Sequence, residues 1–511
     1  MYYLYLLLYV RKSTIFFLSE KFFSTNECVY LSFKLNMRKT PQEFYNDLVE
    51  KFPFEPTSSQ DLLLSKLSEF VFEKNNKSLF VIKGYAGTGK TTTISTLVNN
   101  LWRTGTKAVL LAPTGRAAKV IANYSGRNAF TIHKNIYFPK KNKGGGVDFV
   151  LKPNKNSNTI FFVDEASMIP DSPTNTKLFE KGSLLDDLIS YVYAGIGCKL
   201  VLIGDTAQLP PVKLTLSPAL DSSKLEFEYH KEVTEVELNE VMRQHENSGI
   251  LINATQLRLI IRNEGFSDFK FELGYPDLIR LIDGYEIQDA INVAYDNIGV
   301  EDTAFIVRSN KRANQYNQQI RSKIRGQESE ISTGDYIMVV KNNYFWLKDS
   351  SEAGFIANGD ICEILEIFKI KELYGFRFAE VKVRMIDYPN QKPFETVLLL
   401  DTLTLESPSL SYDDSNKLYQ EVAKDFAQEK SKYKKFLGVK KSKYFNALQV
   451  KFSYAVTCHK SQGGQWKTVF IEQPYLPEGQ SIEYLRWLYT AVTRAQEKVY
   501  LIGFKDDYFL E

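Results

Sequence analysis

Residues 84–93 read Gly-Tyr-Ala-Gly-Thr-Gly-Lys-Thr-Thr-Thr, directly after the apolar run Ser-Leu-Phe-Val-Ile-Lys at 78–83. Gly84 and Gly89 stand five apart and Lys90-Thr91 follows, the spacing of a loop whose backbone N–H groups wrap the phosphates of a nucleoside triphosphate. The segment Gly84, Ala86, Gly87, Thr88, Gly89, Lys90, Thr91 and Thr92 is therefore the candidate ATP cradle. The following helix turns its positive end toward the phosphates, Lys90 adds a point charge at the γ-phosphate, and the Thr91 hydroxyl suits Mg2+. A glycine-rich turn before a helix is the bland alternative, but strand, loop, Lys-Thr and helix all occur here in the required order.

Two further strand ends carry polar groups that fit the same chemistry. The run Thr-Ile-Phe-Phe-Val at 159–163 ends on Asp164-Glu165. Asp164 suits the metal shell, and Glu165 suits the base that orients and deprotonates an attacking water. Such a pair also starts ordinary turns; coupling to the phosphate loop in one sheet gives it the chemical role, and a water-activating base favours hydrolysis over phosphoryl transfer to another substrate. The run Lys-Leu-Val-Leu-Ile-Gly at 199–204 ends near Asp205 and Gln208, with Pro210 and Pro211 stiffening the exit. Gln208 is either a γ-phosphate contact or a solvated loop residue.

The elements that must position these groups follow from the pattern of the chain. Apolar runs rich in Val, Ile and Leu alternate with helical stretches across residues 60–240, which predicts a parallel sheet covered on both faces. Runs beginning near 303, 447, 467 and 498 predict a second α/β sheet. Residues 135–158 are basic and glycine-rich between short strand-like runs, as in a hairpin. Residues 335–400 hold β-type runs without intervening helices, as in a small barrel, and the lysine-rich stretch 417–438 reads as a solvated charged helix.

At 511 residues the chain exceeds a single core and should divide. Its 64 basic and 61 acidic residues leave a net charge of +3, so any nucleic-acid site must be a local patch. Cys28, Cys198, Cys362 and Cys458 form no CxxC pair and suit a reducing compartment. The N-terminal Met-Tyr-Tyr-Leu-Tyr-Leu-Leu-Leu-Tyr-Val is apolar but about half the ~18–20 residues of a membrane span. Residues 1–36 are expected to be a mis-assigned start or a dispensable extension, with a membrane-associated segment as the alternative, before Met37 opens a soluble domain.

With the phosphate loop and the two strand ends stand "LLAPTGRAAKVI", "FTIHK", "LNEVMRQ", "TCHKSQGGQW" and "LYTAVTRAQEKVYLI". In this order they resemble the motifs of superfamily 1 helicases, and most closely the RecD-like and Dda-like branch, which moves 5′→3′ on single-stranded DNA. The resemblance covers about residues 55–511. It implies an α/β fold of two RecA-like parallel-sheet domains with ATP and Mg2+ in the cleft, an inserted β-hairpin pin and an inserted SH3-like barrel. The implied divisions are 37–134 with 159–240, the pin at 135–158, 241–334 with 445–511, and the barrel with a helical extension at 335–444. Arg243 and Arg494 are implied to reach the γ-phosphate from the second domain. Gln60 stands where relatives read the adenine edge, although Thr57-x-x-Gln60 is also a capping box. Met242 stands where some relatives stack an aromatic on the base.

On the DNA side, Thr114 opens a helix that can hold a phosphate, and Thr131 and His133 join it. Asn310, Thr457, His459 and Gln462 are the implied contacts of the second domain. Phe149 is the candidate wedge at a DNA fork, with Tyr137 and Phe138 as competitors and packing of a hairpin aromatic on its own domain as the bland alternative. The expected partner is single-stranded DNA and its fork, with no membrane, a monomeric motor, and a cytoplasmic, DNA-associated location. RNA as substrate, or service as a motor subunit in a larger nuclease complex, are the alternatives.

Overall fold

A computed structural model describes residues 39–141, 147–170, 183–240, 247–263, 267–347, 351 and 353–510. The expected extension at 1–36, Met242 and Arg243 lie outside these residues, as does the Phe149 side chain. Among the described residues no helix is long and apolar enough to cross a membrane.

The first domain is built on a six-stranded parallel sheet in the order β3-β2-β6-β7-β1-β8. Its strands are β1 (Ser78–Gly84), β2 (Lys107–Ala112), β3 (Ala129–Thr131), β6 (Thr159–Val163), β7 (Lys199–Gly204) and β8 (Glu232–Leu238). Every residue of β6 and of β7 is buried, as strands covered by helices on both faces require. Phe80, Ile82, Leu97 and Phe162 fill one face, and Val81, Phe161, Leu188 and Leu202 the other. Between β3 and β6 lies the expected hairpin, β4 (Tyr137–Lys141) against β5 (Val147–Leu151), with Pro139 opposite Phe149. Tyr137 is buried at its root and its hydroxyl donates to Asp187 Oδ2 at 2.7 Å, so this competitor for the tip is an anchor.

The second domain carries a five-stranded parallel sheet in the order β16-β10-β17-β18-β9. These are β9 (Leu278–Leu281), β10 (Thr303–Val307), β16 (Ala455–Thr457), β17 (Trp466–Glu472) and β18 (Ala495–Ile502). A closed barrel is formed by β11 (Tyr336–Val339), β12 (Ile361–Leu373), β13 (Phe376–Met385), β14 (Phe394–Leu399) and β15 (Leu448–Phe452). Two parallel-sheet domains and a barrel are thus present as expected, with two differences in detail.

The apolar run from 447 to 457, expected to be one strand of the second sheet, divides at Ser453-Tyr454. Its first half, β15, closes the barrel against β11 and β14, so the barrel extends beyond 444; only β16 joins the sheet. The lysine-rich stretch is likewise not one solvated helix. It lies within two helices, Tyr412–Lys424 and Lys432–Lys441, whose Leu418, Val422 and Val439 pack on Phe376 and Phe378 of the barrel. Lysines on the outer face and few apolar residues in the window hid that stripe. Barrel residues and Phe305 and Phe470 of the second sheet share one core, which ties these two units together.

Candidate nucleotide cleft and nucleic-acid face

The phosphate-binding segment leaves β1 and enters the helix Lys90–Asn100. Gly87 and Gly89 take φ of 74° and 79°, the left-handed region that other residues enter only with strain, so the tight loop needs glycine at these positions. Lys90 folds its Nζ back onto the Gly84 carbonyl and the Tyr85 carbonyl, the latter at 2.8 Å. Register between β1 and β7 pairs Lys83 with Gly204, which brings the loop beside Asp205; β6 lies on the far side of β7 and ends on Asp164. All of these groups gather outside the carboxyl ends of the strands, where open parallel sheets bind their ligands.

Asp164 accepts from the Glu165 N–H at 2.9 Å. Burial pushes its carboxyl up to about 6, the Glu165 charge adds to the rise, and Lys90 opposes it. Glu165 adopts φ of 53°, an uncommon conformation for a non-glycine residue. Its Oε1 lies 3.8 Å from Nη1 of Arg494, whereas its Oε2 is buried with no hydrogen-bond partner. Gln208 Oε1 is buried and unpartnered as well. A destabilised carboxylate, two buried oxygens without hydrogen-bond partners and a lysine turned onto its own loop fit a site for a cation and a polyphosphate. Thr91 and Asp164 could hold Mg2+, which supplies charge neutralisation on phosphate oxygens when bound.

Arg494 comes from the second domain, just beyond the helix Ile482–Val492. It is 3% exposed, and its guanidinium donates to the Thr490 carbonyl at 3.0 Å and the Gly464 carbonyl at 3.2 Å. Gln60 is fully buried: its Oε1 accepts the Thr57 N–H at 3.0 Å and its Nε2 donates to the Thr88 carbonyl at 2.9 Å. The capping box is therefore formed, and the same amide braces the phosphate loop.

Both domains also present a pair of polar residues where neighbouring parallel strands end. In the first, Ala112 of β2 pairs with Thr131 of β3, so Thr114 and Thr131 share one edge. In the second, Val307 of β10 pairs with Thr457 of β16, so Asn310 and Thr457 do the same. Thr114 caps the helix Gly115–Ser125 through the Ala117 N–H at 3.2 Å, and Thr131 caps Ile132–Ile136 through the Lys134 N–H at 3.2 Å. Thr457 begins Cys458–Ser461 without a cap bond, and His459 beside it is exposed. Burial pushes His133 down to about 4, so its imidazole is neutral at ordinary pH and offers a hydrogen bond rather than a charge.

Gln462 differs from the others. It is buried, and its Nε2 donates 2.6 Å to the Leu209 carbonyl, so it meets the loop after β7. The adjoining Gly463, at φ of 70°, passes so close to Gly115–Ser125 that a Cβ there would stand 2.8 Å from Ala117 Cβ. The segment 462–465 thus runs from the nucleotide cleft to the helix capped by Thr114. Arg116 of that helix lies 4.0 Å over the Trp466 ring, a further tie between the domains.

Sequence reasoning missed other interdomain groups on Ile482–Val492. The Tyr489 hydroxyl donates to Asp205 Oδ2 at 2.7 Å and accepts the Ala86 N–H at 3.0 Å. Thr490 Oγ1 accepts the Leu209 N–H at 2.9 Å, and Arg486 donates to the Thr206 carbonyl. The helix is apolar and almost wholly buried, so its pattern reads as plain core. The hydroxyls within that core were the available signal.

A phosphate loop and an Asp-Glu strand end, faced by a buried arginine from a second parallel-sheet domain, define a two-domain P-loop nucleoside triphosphatase. Residues 71–259 match the AAA domain family, and residues 452–502 match the UvrD-like helicase C-terminal domain family. The ATP-dependent DNA helicase dda of Enterobacteria phage T4 is 26% identical over 462 residues, covering 84% of this chain and 95% of that protein. The ATP-dependent RecD2 DNA helicase of Deinococcus radiodurans is 33% identical over 159 residues, or 30% of this chain and 20% of that one. Among solved structures, the Pif1 helicase from Candida albicans aligns with a TM-score of 0.43 at 15% identity, covering 88% of this chain and 95% of that chain. The chain is thus similar to superfamily 1 helicases of the Dda-like and RecD-like kind.

Proposed function

We propose that this protein is an ATP-dependent DNA helicase that moves 5′→3′ along single-stranded DNA and separates duplex ahead of it. The observation that carries the reading is the approach of Arg494, from the second domain, to 3.8 Å from Glu165 beside the phosphate loop. A cleft with its base on one domain and its arginine on the other ties hydrolysis to domain closure.

Lys90 and the loop amides hold the triphosphate, with Thr91 and Asp164 as ligands of Mg2+. Glu165 accepts the proton of the attacking water, and Gln208 contacts the γ-phosphate. Arg494 and Arg243 stabilise charge on the transferring oxygens, a contribution typically worth about 10³–10⁵ in rate. Gln60 steadies the loop from the adenine side.

Thr114, Thr131 and His133 grip the strand backbone from the first domain, and Asn310, Thr457 and His459 from the second. Alternating closure and opening then ratchets the strand, with Gln462 and Gly463 linking the nucleotide state to the grip. Backbone contact makes the motion independent of sequence and sensitive to salt. The hairpin β4–β5 acts as the pin, with Phe149 meeting the last base pair and the barrel bracing it. Because one chain completes both sites, the unit of action is a monomer associated with DNA.

The test compares ATPase stimulation by single-stranded DNA and RNA of equal length. Greater stimulation by DNA is the expected outcome; stimulation by RNA alone contradicts the choice of substrate.

A further inference from the structure

The second domain does more at the cleft than deliver Arg494. The Tyr489 side chain, 1% exposed, crosses from the helix Ile482–Val492 into the first domain and ends between two of its loops. One hydroxyl oxygen serves both: it accepts from Ala86, the third residue of the phosphate loop, and donates to Asp205 at the end of β7. Asp205 is fixed in turn, its Oδ1 accepting the Ala207 N–H at 2.9 Å. The loop from Asp205 to Leu209 carries Gln208 and is held by Arg486, Thr490 and Gln462 of the second domain.

We infer that the Tyr489 hydroxyl is a positioning group for hydrolysis, which seats the Arg494-bearing segment at the depth where its guanidinium faces Glu165. Arg494 follows Tyr489 by five residues and is tied back to Thr490, so whatever fixes the tyrosine fixes the arginine. Phenol and arginine thereby act as one unit. The hydroxyl reads the phosphate loop and the Gln208 loop together, and the arginine acts on the reacting phosphate. A phenylalanine at 489 would keep the packed ring but leave Ala86 N–H and Asp205 Oδ2 each short of a partner. The inference rests on the proposed role of Arg494 in ATP hydrolysis.

The experiment measures steady-state ATP hydrolysis by the full chain and by Tyr489→Phe, Arg494→Ala and the double variant, with and without saturating single-stranded DNA. Tyr489→Phe is expected to lower kcat about tenfold, the scale of one lost positioning hydrogen bond, with KM for ATP within about twofold. In the Arg494→Ala background the same change is expected to cost nothing further, because the tyrosine acts through the arginine. A merely structural tyrosine would instead lower the thermal midpoint and weaken DNA binding while reducing both backgrounds equally. Unchanged kcat in Tyr489→Phe, or an equal loss in both backgrounds, overturns the inference. Should the parent protein hydrolyse ATP without stimulation by DNA, the helicase reading fails; the Tyr489 comparison is then still decided on basal hydrolysis.

Discussion

Glu165 is held in a left-handed backbone conformation with one carboxylate oxygen near Arg494 and the other buried without a partner. A buried acceptor left unpaired costs stability unless the site fills it, and a water awaiting deprotonation is the group that would. Glu165→Gln keeps the size and removes the proposed base. It is expected to lower hydrolysis by about 10²–10⁴-fold while nucleotide binding persists, measured by single-turnover hydrolysis beside fluorescent-nucleotide titration. Hydrolysis within a few-fold of the parent would remove Glu165 as the base. At this scale the sequence was most legible where spacing is itself the chemistry, as in Gly84 to Thr91. It was least legible where one side chain serves two purposes. Gln60 forms its capping box and braces Thr88 with the same amide, and Tyr489 hides a bridging hydroxyl in a core-like helix.

Among elements, largely apolar runs such as β6 and β7 point to a parallel sheet because both of their faces are buried. The run 447–457 reads as one strand because only Ser453-Tyr454 separate β15 from β16, and the two are told apart by partners that lie far away in the chain. The barrel also rests on the first domain in a way no local pattern reveals. Lys119 of Gly115–Ser125 lies 3.6 Å from Asp387, and Asp360 and Tyr388 crowd Gly115, where a Cβ would stand 2.8 Å and 2.7 Å from them. Burial pushes the Asp360 carboxyl up to about 8, Asp387 adds to the rise, and the Ala357 N–H opposes it. A carboxyl with pKa above its unfolded value of about 3.9 keeps a proton that the unfolded chain releases. Stability should therefore fall as pH climbs from about 4 toward about 8, and level off above. Asp360→Asn is expected to flatten that slope in thermal unfolding between mildly acidic and mildly alkaline buffers. An unchanged slope in the variant would show that another group governs it.

Across the whole molecule, two parallel-sheet domains flank one nucleotide cleft and carry matching strand-end pairs, Thr114 with Thr131 and Asn310 with Thr457, proposed to hold a common strand. With a net charge of only +3, the proposed DNA binding must rest on local contacts and helix ends rather than on an overall field. The proposed motor action needs the cleft and the strand-end pairs to work together, and Gln462-Gly463 runs from the Leu209 loop to the helix capped by Thr114. The account's central claim, a motor that walks 5′→3′ and opens duplex, is tested most directly by strand separation on two partial duplexes. They are identical except that one carries a 5′ single-stranded tail and the other a 3′ tail. The account predicts ATP-dependent unwinding of the 5′-tailed duplex and none of the 3′-tailed one; the reverse preference, or no unwinding of either, would contradict it.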